Sequence, residues 1–211
     1  MAILLEIHPG HPQPHRVAQA ANMLREGGLV AVPTDSGYAL CGHLGDAGLL
    51  ERIRRLRGVD ERHLFTLMCR DLSEIATYAR VDNATYRLLK ATTPGSYTFI
   101  LEGSRELPRR VLHPKRKTIG LRIPDNKLVL ALLEELNEPM LTSTLILAGD
   151  DEPLSEADEI ESRIGKLIEL IVDAGPCSSQ ATTVINLVGG TPELVRAGRG
   201  PLEPFGLEAP V

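Results

Sequence analysis

The stretch VAVPTDSGYALCG, from Val30 to Gly42, changes character halfway along. Val30, Ala31 and Val32 predict a buried strand. Pro33, Thr34, Asp35 and Ser36 then bring a ring-locked residue and three hydrogen-bonding side chains, before apolar residues resume at Tyr38. A chain that only reverses direction has simpler chemistry available in Asn-Gly or Asp-Gly. Two readings stand side by side. In one, Thr34 and Asp35 satisfy local backbone groups in a Pro-initiated turn. In the other, polar side chains sit at the carboxyl end of a strand, where open α/β sheets bind ligands.

Outward from this stretch, short apolar runs alternate with helical periodicity. Ile3–Ile7 predicts a strand, and Val17, Ala20, Ala21 and Leu24 predict a helix that stops at Gly27-Gly28. Leu49, Leu50, Ile53 and Leu56 mark a second helix ending near Gly58, with Arg52 and Arg55 off its apolar stripe. Asp71–Glu74 opens a third helix with an acid three residues after the cap, and Asp82–Lys90 is a fourth. Leu128–Leu136 and Glu159–Leu167 are further helices. Phe65–Cys69, Tyr97–Leu101, Thr118–Ile123, Met140–Leu147, Leu170–Val172 and Thr183–Leu187 predict strands, and Leu194–Arg196 a short edge strand. Strands interleaved with helices, plus strand-to-strand passages late in the chain, predict an α/β domain around a twisted, mostly covered, mixed sheet. Leu147–Glu159 reads as a mobile surface loop, and Gly198–Val211 as a segment that drapes over the surface or frays.

The chain has 211 residues, enough for one domain with a sizeable core. Its three cysteines, Cys41, Cys69 and Cys177, are odd in number and widely spaced, which favours reduced thiols and a cytoplasmic setting over a disulfide frame or zinc site. No apolar run reaches the length of a membrane span, so no membrane partner is expected. Charge is unevenly distributed. Residues 1–127 carry 19 Lys and Arg against 13 Asp and Glu, whereas residues 128–211 carry 4 against 15. A polyanion must therefore be met by the first part.

Within that part, KRKTIGLRIP (Lys115–Pro124) sets three cations before an alternating strand. The run suggests phosphate or RNA contact, and its bland reading is a solvated basic loop. Arg122 is different: flanked by Leu121 and Ile123 it needs a partner, and its fork suits a carboxylate or phosphate. ATTVINL (Ala181–Leu187) offers hydroxyls at a strand end, although threonine is also a good strand former. His8, His11 and His15 are separated by prolines that forbid a helix gathering them, and no metal site is expected. The chain has no G-x-G-x-x-G after a strand, no Walker A and no G-x-S-x-G elbow. With 3% aromatics and no Trp, a stacking platform for single-stranded RNA is not expected.

Taken together, PTDSGYAL (Pro33–Leu40), TPGSYTFIL (Thr93–Leu101), KTIGLRIPDN (Lys117–Asn126), PMLTSTLILAG (Pro139–Gly149), ATTVINL and LVRAGRG (Leu194–Gly200) resemble, in order, the motifs of the YrdC family. The resemblance is closest to the YciO branch, through its IHP start, PTDSGYAL, FTLMCRDLSE and KRKTIG. It implies a single YrdC-like domain over 1–211, with a core of about 8–200 and a C-terminal extension at 201–211. It also implies a twisted open mixed sheet with flanking helices and a basic concave cavity. The family's characterised enzymes make threonylcarbamoyl-AMP and pyrophosphate from threonine, bicarbonate and ATP with Mg²⁺, for a tRNA modification. A carboxylate attacks the α-phosphate in that reaction, so orientation and cationic stabilisation carry it and no side-chain nucleophile is needed.

Carried over by position, the resemblance assigns Thr34, Tyr38, Arg122 and Thr182 to the substrate side. Arg57, Thr118, Thr144 and Arg196 fall on the nucleotide side. Arg109, Arg110, Lys115, Arg116 and Lys117 form an RNA or phosphate patch. The chain also departs from the pattern. Arg57 and Val59 stand where the enzymes have K-x-R, Thr144 and Ile146 where they have S-x-N, and Met68, or Cys69 one residue on, where they have a histidine. Each lost charge-assisted bond is worth about 1.5–3 kcal/mol, which predicts a weakened grip on ATP. The expectation is thus a YciO-like protein binding nucleotide and double-stranded or transfer RNA, with an active L-threonylcarbamoyladenylate synthase as the alternative.

Overall fold

A computed structural model describes residues 1–208. Ten strands form one mixed sheet in the order β1-β8-β2-β3-β7-β4-β6-β5-β9-β10. In chain order the strands are β1 (Ile3–Glu6), β2 (Val30–Thr34), β3 (Gly37–His43), β4 (Thr66–Met68), β5 (Tyr97–Glu102), β6 (Thr118–Arg122), β7 (Met140–Thr144), β8 (Leu170–Asp173), β9 (Thr183–Asn186) and β10 (Glu193–Arg196). Six helices flank them: α1 (Pro14–Arg25), α2 (Leu49–Arg57), α3 (Leu72–Tyr78), α4 (Asn83–Thr92), α5 (Lys127–Leu136) and α6 (Ala157–Ile164). Parallel pairs such as β4/β6 and β5/β9 mix with antiparallel pairs such as β2/β3 and β5/β6, as the interleaved pattern predicts.

Local chemistry sets the helix ends. Asp71 accepts the Glu74 N–H at 2.9 Å, and Glu74 in turn accepts the Arg70 N–H at 2.9 Å, a reciprocal cap that starts α3. Asp82 and Asn126 cap α4 and α5 in the same way. Gly58, at φ 63°, ends α2 in the left-handed region that glycine tolerates.

Strand alternation sorts the core into two layers. Ala31, Tyr38, Leu40, Leu67, Phe99, Leu121 and Leu141 face α2, α3, α4 and α6. Their neighbours Val30, Val32, Ala39, Cys41, Met68 and Met140 face α1 and α5. Helix α5 contributes Leu128, Val129, Leu132, Leu133 and Leu136, each worth about 1.5–3 kcal/mol relative to exposure. The second layer is short: α1 and α5 pack on the β8-β2-β3 half of the sheet. Farther along, the same sheet face turns from apolar residues to threonines.

Three expected elements differ in detail. The strand from Met140 ends at Thr144 rather than Leu147, because Leu145 turns to pair its N–H with the Tyr38 carbonyl. The sixth helix runs Ala157–Ile164 and stops at Gly165, short of Leu167. The expected loop over Leu147–Glu159 is anchored: Leu154 is buried, and its backbone bonds to both Leu145 and Tyr38. The segment after Gly198 also packs down. Phe205 is buried edge-on against Tyr97, whose hydroxyl donates to the Pro201 carbonyl at 2.8 Å. Ala209–Val211, the end of that expected tail, lie outside the described residues.

Candidate functional site

Residues Pro33–Gly37 are both the turn and the wall of a cavity. Strands β2 and β3 form a hairpin in which Thr34 pairs with Gly37, leaving Asp35 and Ser36 as its tip. The Thr34 hydroxyl donates to the Gly37 carbonyl at 2.7 Å and accepts the Ser36 N–H at 3.1 Å. Thr34 therefore lines the cavity with its hydroxyl spent on the turn. Tyr38 also lines the cavity. Its ring is fully buried in the α2 layer and its hydroxyl donates to the Val172 carbonyl at 3.0 Å. Only its backbone remains on the cavity side, because a two-residue tip sends residue 38 to the opposite face from Thr34.

Arg122 is 5% exposed, on the cavity face of β6. Its Nη2 donates to Asp35 Oδ1 at 2.5 Å and its Nη1 to Ser36 Oγ at 2.8 Å. The partner that an arginine in an apolar strand demands is thus the hairpin tip of its own chain. Ser96 Oγ donates to Asp35 Oδ2 at 3.0 Å, and Arg199 donates to the Asp35 carbonyl. Burial pushes the Arg122 guanidinium down while the Asp35 carboxylate pulls it back up. Asp35 and Ser36 were legible from sequence only as members of the polar stretch, and Ser96 and Arg199 were not singled out at all.

The threonines come from five separate segments. Thr34, Thr66, Thr98, Thr142, Thr144 and Thr182 surround Arg122 and Met68. Thr66, Thr98 and Thr142 were not foreseen; only β7, with Thr142 and Thr144 two residues apart, carries a local signal. Thr98 and Thr182 share a hydrogen bond at 2.9 Å, and Arg196 Nη2 donates to the Thr182 carbonyl at 2.9 Å. Thr118 lies on the same face of β6 as Arg122, about 13 Å away at about 3.3 Å per residue. Its hydroxyl is buried and has no hydrogen-bond partner. Gly120 sits between them. A methyl there would come within 2.7 Å of Thr66 Oγ1, so glycine alone keeps this floor open.

Arg57 reaches the end of β7. Its Nη1 donates to Ser143 Oγ at 2.7 Å and to His63 Nε2 at 2.9 Å, and its Nε to the Ile146 carbonyl at 3.3 Å. Burial, then the charge of Arg196, pulls Arg57 down to about 10, and burial pulls Arg196 down. Ile146 offers its backbone carbonyl, and Arg57 uses it. The other nearby arginines are committed elsewhere. Arg52 pairs with Glu169 at 2.8 Å, Arg54 lies over the Phe65 ring, and Arg62 is exposed beside Asp60.

The basic run flanks the Thr118 end, because Lys117 directly precedes β6. Arg109, Arg110, Lys115, Arg116 and Lys117 are all exposed. Arg110 donates to the Gly45 carbonyl at 2.7 Å and Lys117 to the Pro114 carbonyl at 2.7 Å. The thiols are unreactive by environment. Burial pushes Cys41 and Cys69 well up and Cys177 to about 11. Among the described residues no group of three or more His, Cys, Asp or Glu side chains could hold a metal ion. No helix among them is long and apolar enough to cross a membrane.

The sequence model of the Sua5/YciO/YrdC family, described as "Telomere recombination", matches residues 22–198. The crystal structure of Escherichia coli YciO superposes with a TM-score of 0.94 at 49% identity, over 97% of this chain and 100% of that one. The threonylcarbamoyl-AMP synthase of Pyrococcus abyssi is 30% identical over 190 residues, 89% of this chain and 55% of the enzyme. A crystal structure of P. abyssi Sua5 complexed with L-threonine superposes with a TM-score of 0.88 at 25% identity, over 96% of this chain and 59% of that one. The chain therefore spans little more than half the length of the Sua5 proteins it matches.

Proposed function

The chain belongs to the Sua5/YciO/YrdC family, and from that premise we propose that its threonine-lined sheet face binds a nucleotide in work related to tRNA threonylcarbamoylation. The nucleotide's phosphates lie between Arg57 and Arg196, and its polar groups meet Thr118 and Thr144. The substrate side is Arg122 with Thr182 and the hairpin tip. RNA phosphates approach over Arg109, Arg110, Lys115, Arg116 and Lys117. The observation that carries the reading is the gathering of Thr34, Thr66, Thr98, Thr142, Thr144 and Thr182 around Arg122 on one sheet face, with Arg57 reaching Ser143 at the end of β7 and Arg196 tied to Thr182.

On this reading the synthase reaction itself is slow. Three of the hydrogen bonds Arg57 can donate point inward, to Ser143, His63 and Ile146, rather than toward a triphosphate. Mg²⁺ enters only as the counter-ion that accompanies ATP, held by the nucleotide's own phosphate oxygens. The second reading, a working L-threonylcarbamoyladenylate synthase, draws on the likeness to P. abyssi Sua5, over 96% of this chain, in a structure holding L-threonine. Pyrophosphate release from ATP, dependent on threonine and bicarbonate, decides between them. Release no higher than in Arg122→Ala, together with AMP or ATP binding that an Arg57→Ala variant loses, upholds the first reading. Release well above the variant upholds the second. Absence of nucleotide binding overturns both.

A further inference from the structure

The guanidinium of Arg122 is occupied from within. Both terminal nitrogens carry partners from the hairpin tip, Asp35 Oδ1 at 2.5 Å and Ser36 Oγ at 2.8 Å. The remaining nitrogen, Nε, has no partner but is fully buried, so no ligand reaches it. The cavity in front of Arg122 measures ≈ 30 Å³, about a tenth of the size at which small-molecule pockets begin. Asp35 and Ser36 take one N–H of each terminal nitrogen, so a ligand carboxylate that grips both nitrogens as a pair has to displace them.

We propose that Asp35 is an internal carboxylate competitor for Arg122, so that a ligand carboxylate enters only by displacing the Asp35–Ser36 tip. Asp35 then sets both the affinity and the selectivity of the site. The inference rests on the reading that Arg122 receives the carboxylate of the ligand. The tip is built to exchange. It is two residues long and is followed by Gly37 at φ 103°, a conformation that only glycine adopts without strain. Outside the Arg122 pair, Asp35 is held by two tethers from other elements, Ser96 on its second oxygen and Arg199 on its carbonyl. When the ligand takes Arg122, the Asp35 carboxylate swings outward toward Arg199, which is exposed. One charge-assisted pair replaces another, so the exchange is nearly balanced and the intrinsic affinity is reduced by the fraction of chains with the tip open.

The test uses the full chain and two readouts. The rate at which phenylglyoxal modifies Arg122, followed by peptide mass spectrometry, reports whether the fork is covered. Calorimetric titration with L-threonine reports binding. Asp35→Asn removes the competing charge; Ser96→Ala keeps the carboxylate and Arg199 and cuts the tether on the second oxygen, which guards against a folding defect in the first variant. Opening the tip raises the competent fraction, so both variants gain about tenfold in Arg122 modification and in threonine affinity. Loss of threonine affinity in both variants, with Arg122 modified no faster, overturns the proposal and makes Asp35 a positioning residue. Faster modification with no threonine binding in any chain upholds the competition and overturns the threonine reading instead.

Discussion

His63 Nε2 lies 2.9 Å from Ser143 Oγ, and Arg57 Nη1 donates to both atoms. An arginine only donates, so Nε2 must be the bare nitrogen of a neutral imidazole, and the serine hydroxyl points at it. Burial, with Arg57 and Arg54 close by, pushes His63 down to about 4, against a smaller pull upward from Asp60.

That burial predicts a pH dependence. In the unfolded chain His63 takes up a proton near pH 6.5, whereas in the fold it resists until about pH 4. Stability is unaffected by this group above pH 6.5 and falls as pH drops through the window between the two values. The full loss is about 3 kcal/mol. Urea denaturation at a series of pH values should show this slope, and His63→Gln should flatten it. A residual slope of the same sign is expected from His113, which burial, Arg116 and Lys115 also push down. An unchanged slope in His63→Gln would assign the whole effect elsewhere.

Gly120 faces Thr66 so closely that its replacement should be felt twice. In Gly120→Ala the new methyl meets Thr66 Oγ1 at 2.7 Å and the Phe65 carbonyl at 3.1 Å. The carbonyl is backbone and cannot rotate away, so overpacking costs about 1–3 kcal/mol, partly offset by about 0.4–1 kcal/mol from the stiffer unfolded chain. The same methyl rises into the floor between Arg122 and Thr118. Nucleotide titration should therefore weaken by more than the stability loss explains. Full-strength binding in a chain destabilised as expected would move the nucleotide off this floor.

Much of this architecture was legible because it rests on local chemistry. The caps at Asp71 and Asp82, the helix stop at Gly58 and the apolar alternation of β6 are each written within a few residues. Arg122 in an apolar strand announced that it needed a partner. The identity of that partner did not follow, because Asp35 lies 87 residues away and is equally satisfied as a turn residue. Strand β3 was missed for a related reason. Tyr38–Gly42 is buried on both faces and has no visible period, and the side on which Tyr38 falls depends on the length of the tip. The His63–Ser143 contact joins residues 80 apart and has no local signature at all.

The C-terminal segment carries more stability than its Gly- and Pro-rich composition suggests. Phe205 packs edge-on to Tyr97 at 5.3 Å and lies 6.0 Å from Phe99, under the same layer as α4. Phe205→Ala should cost about 3 kcal/mol, at the low end for a buried phenylalanine because the segment is terminal and can close inward. The midpoint of urea denaturation should fall with no change in its slope. A midpoint within error of the parent would show that the tail merely rests on the sheet.

The basic loop offers the sharpest test of RNA contact. Arg110 and Lys117 are tied to backbone carbonyls, whereas Lys115 and Arg116 are exposed. Each cation that touches a phosphate releases about 0.7–0.9 of a counter-ion on binding. Lys115→Gln/Arg116→Gln should therefore reduce the slope of log affinity against log salt by about 1.5 for a double-stranded or transfer RNA. Fluorescence anisotropy between low and moderate salt measures it. The chain has a net charge of −5, so binding that survives high salt, or a slope indifferent to both substitutions, would mean that any RNA is held somewhere other than this loop.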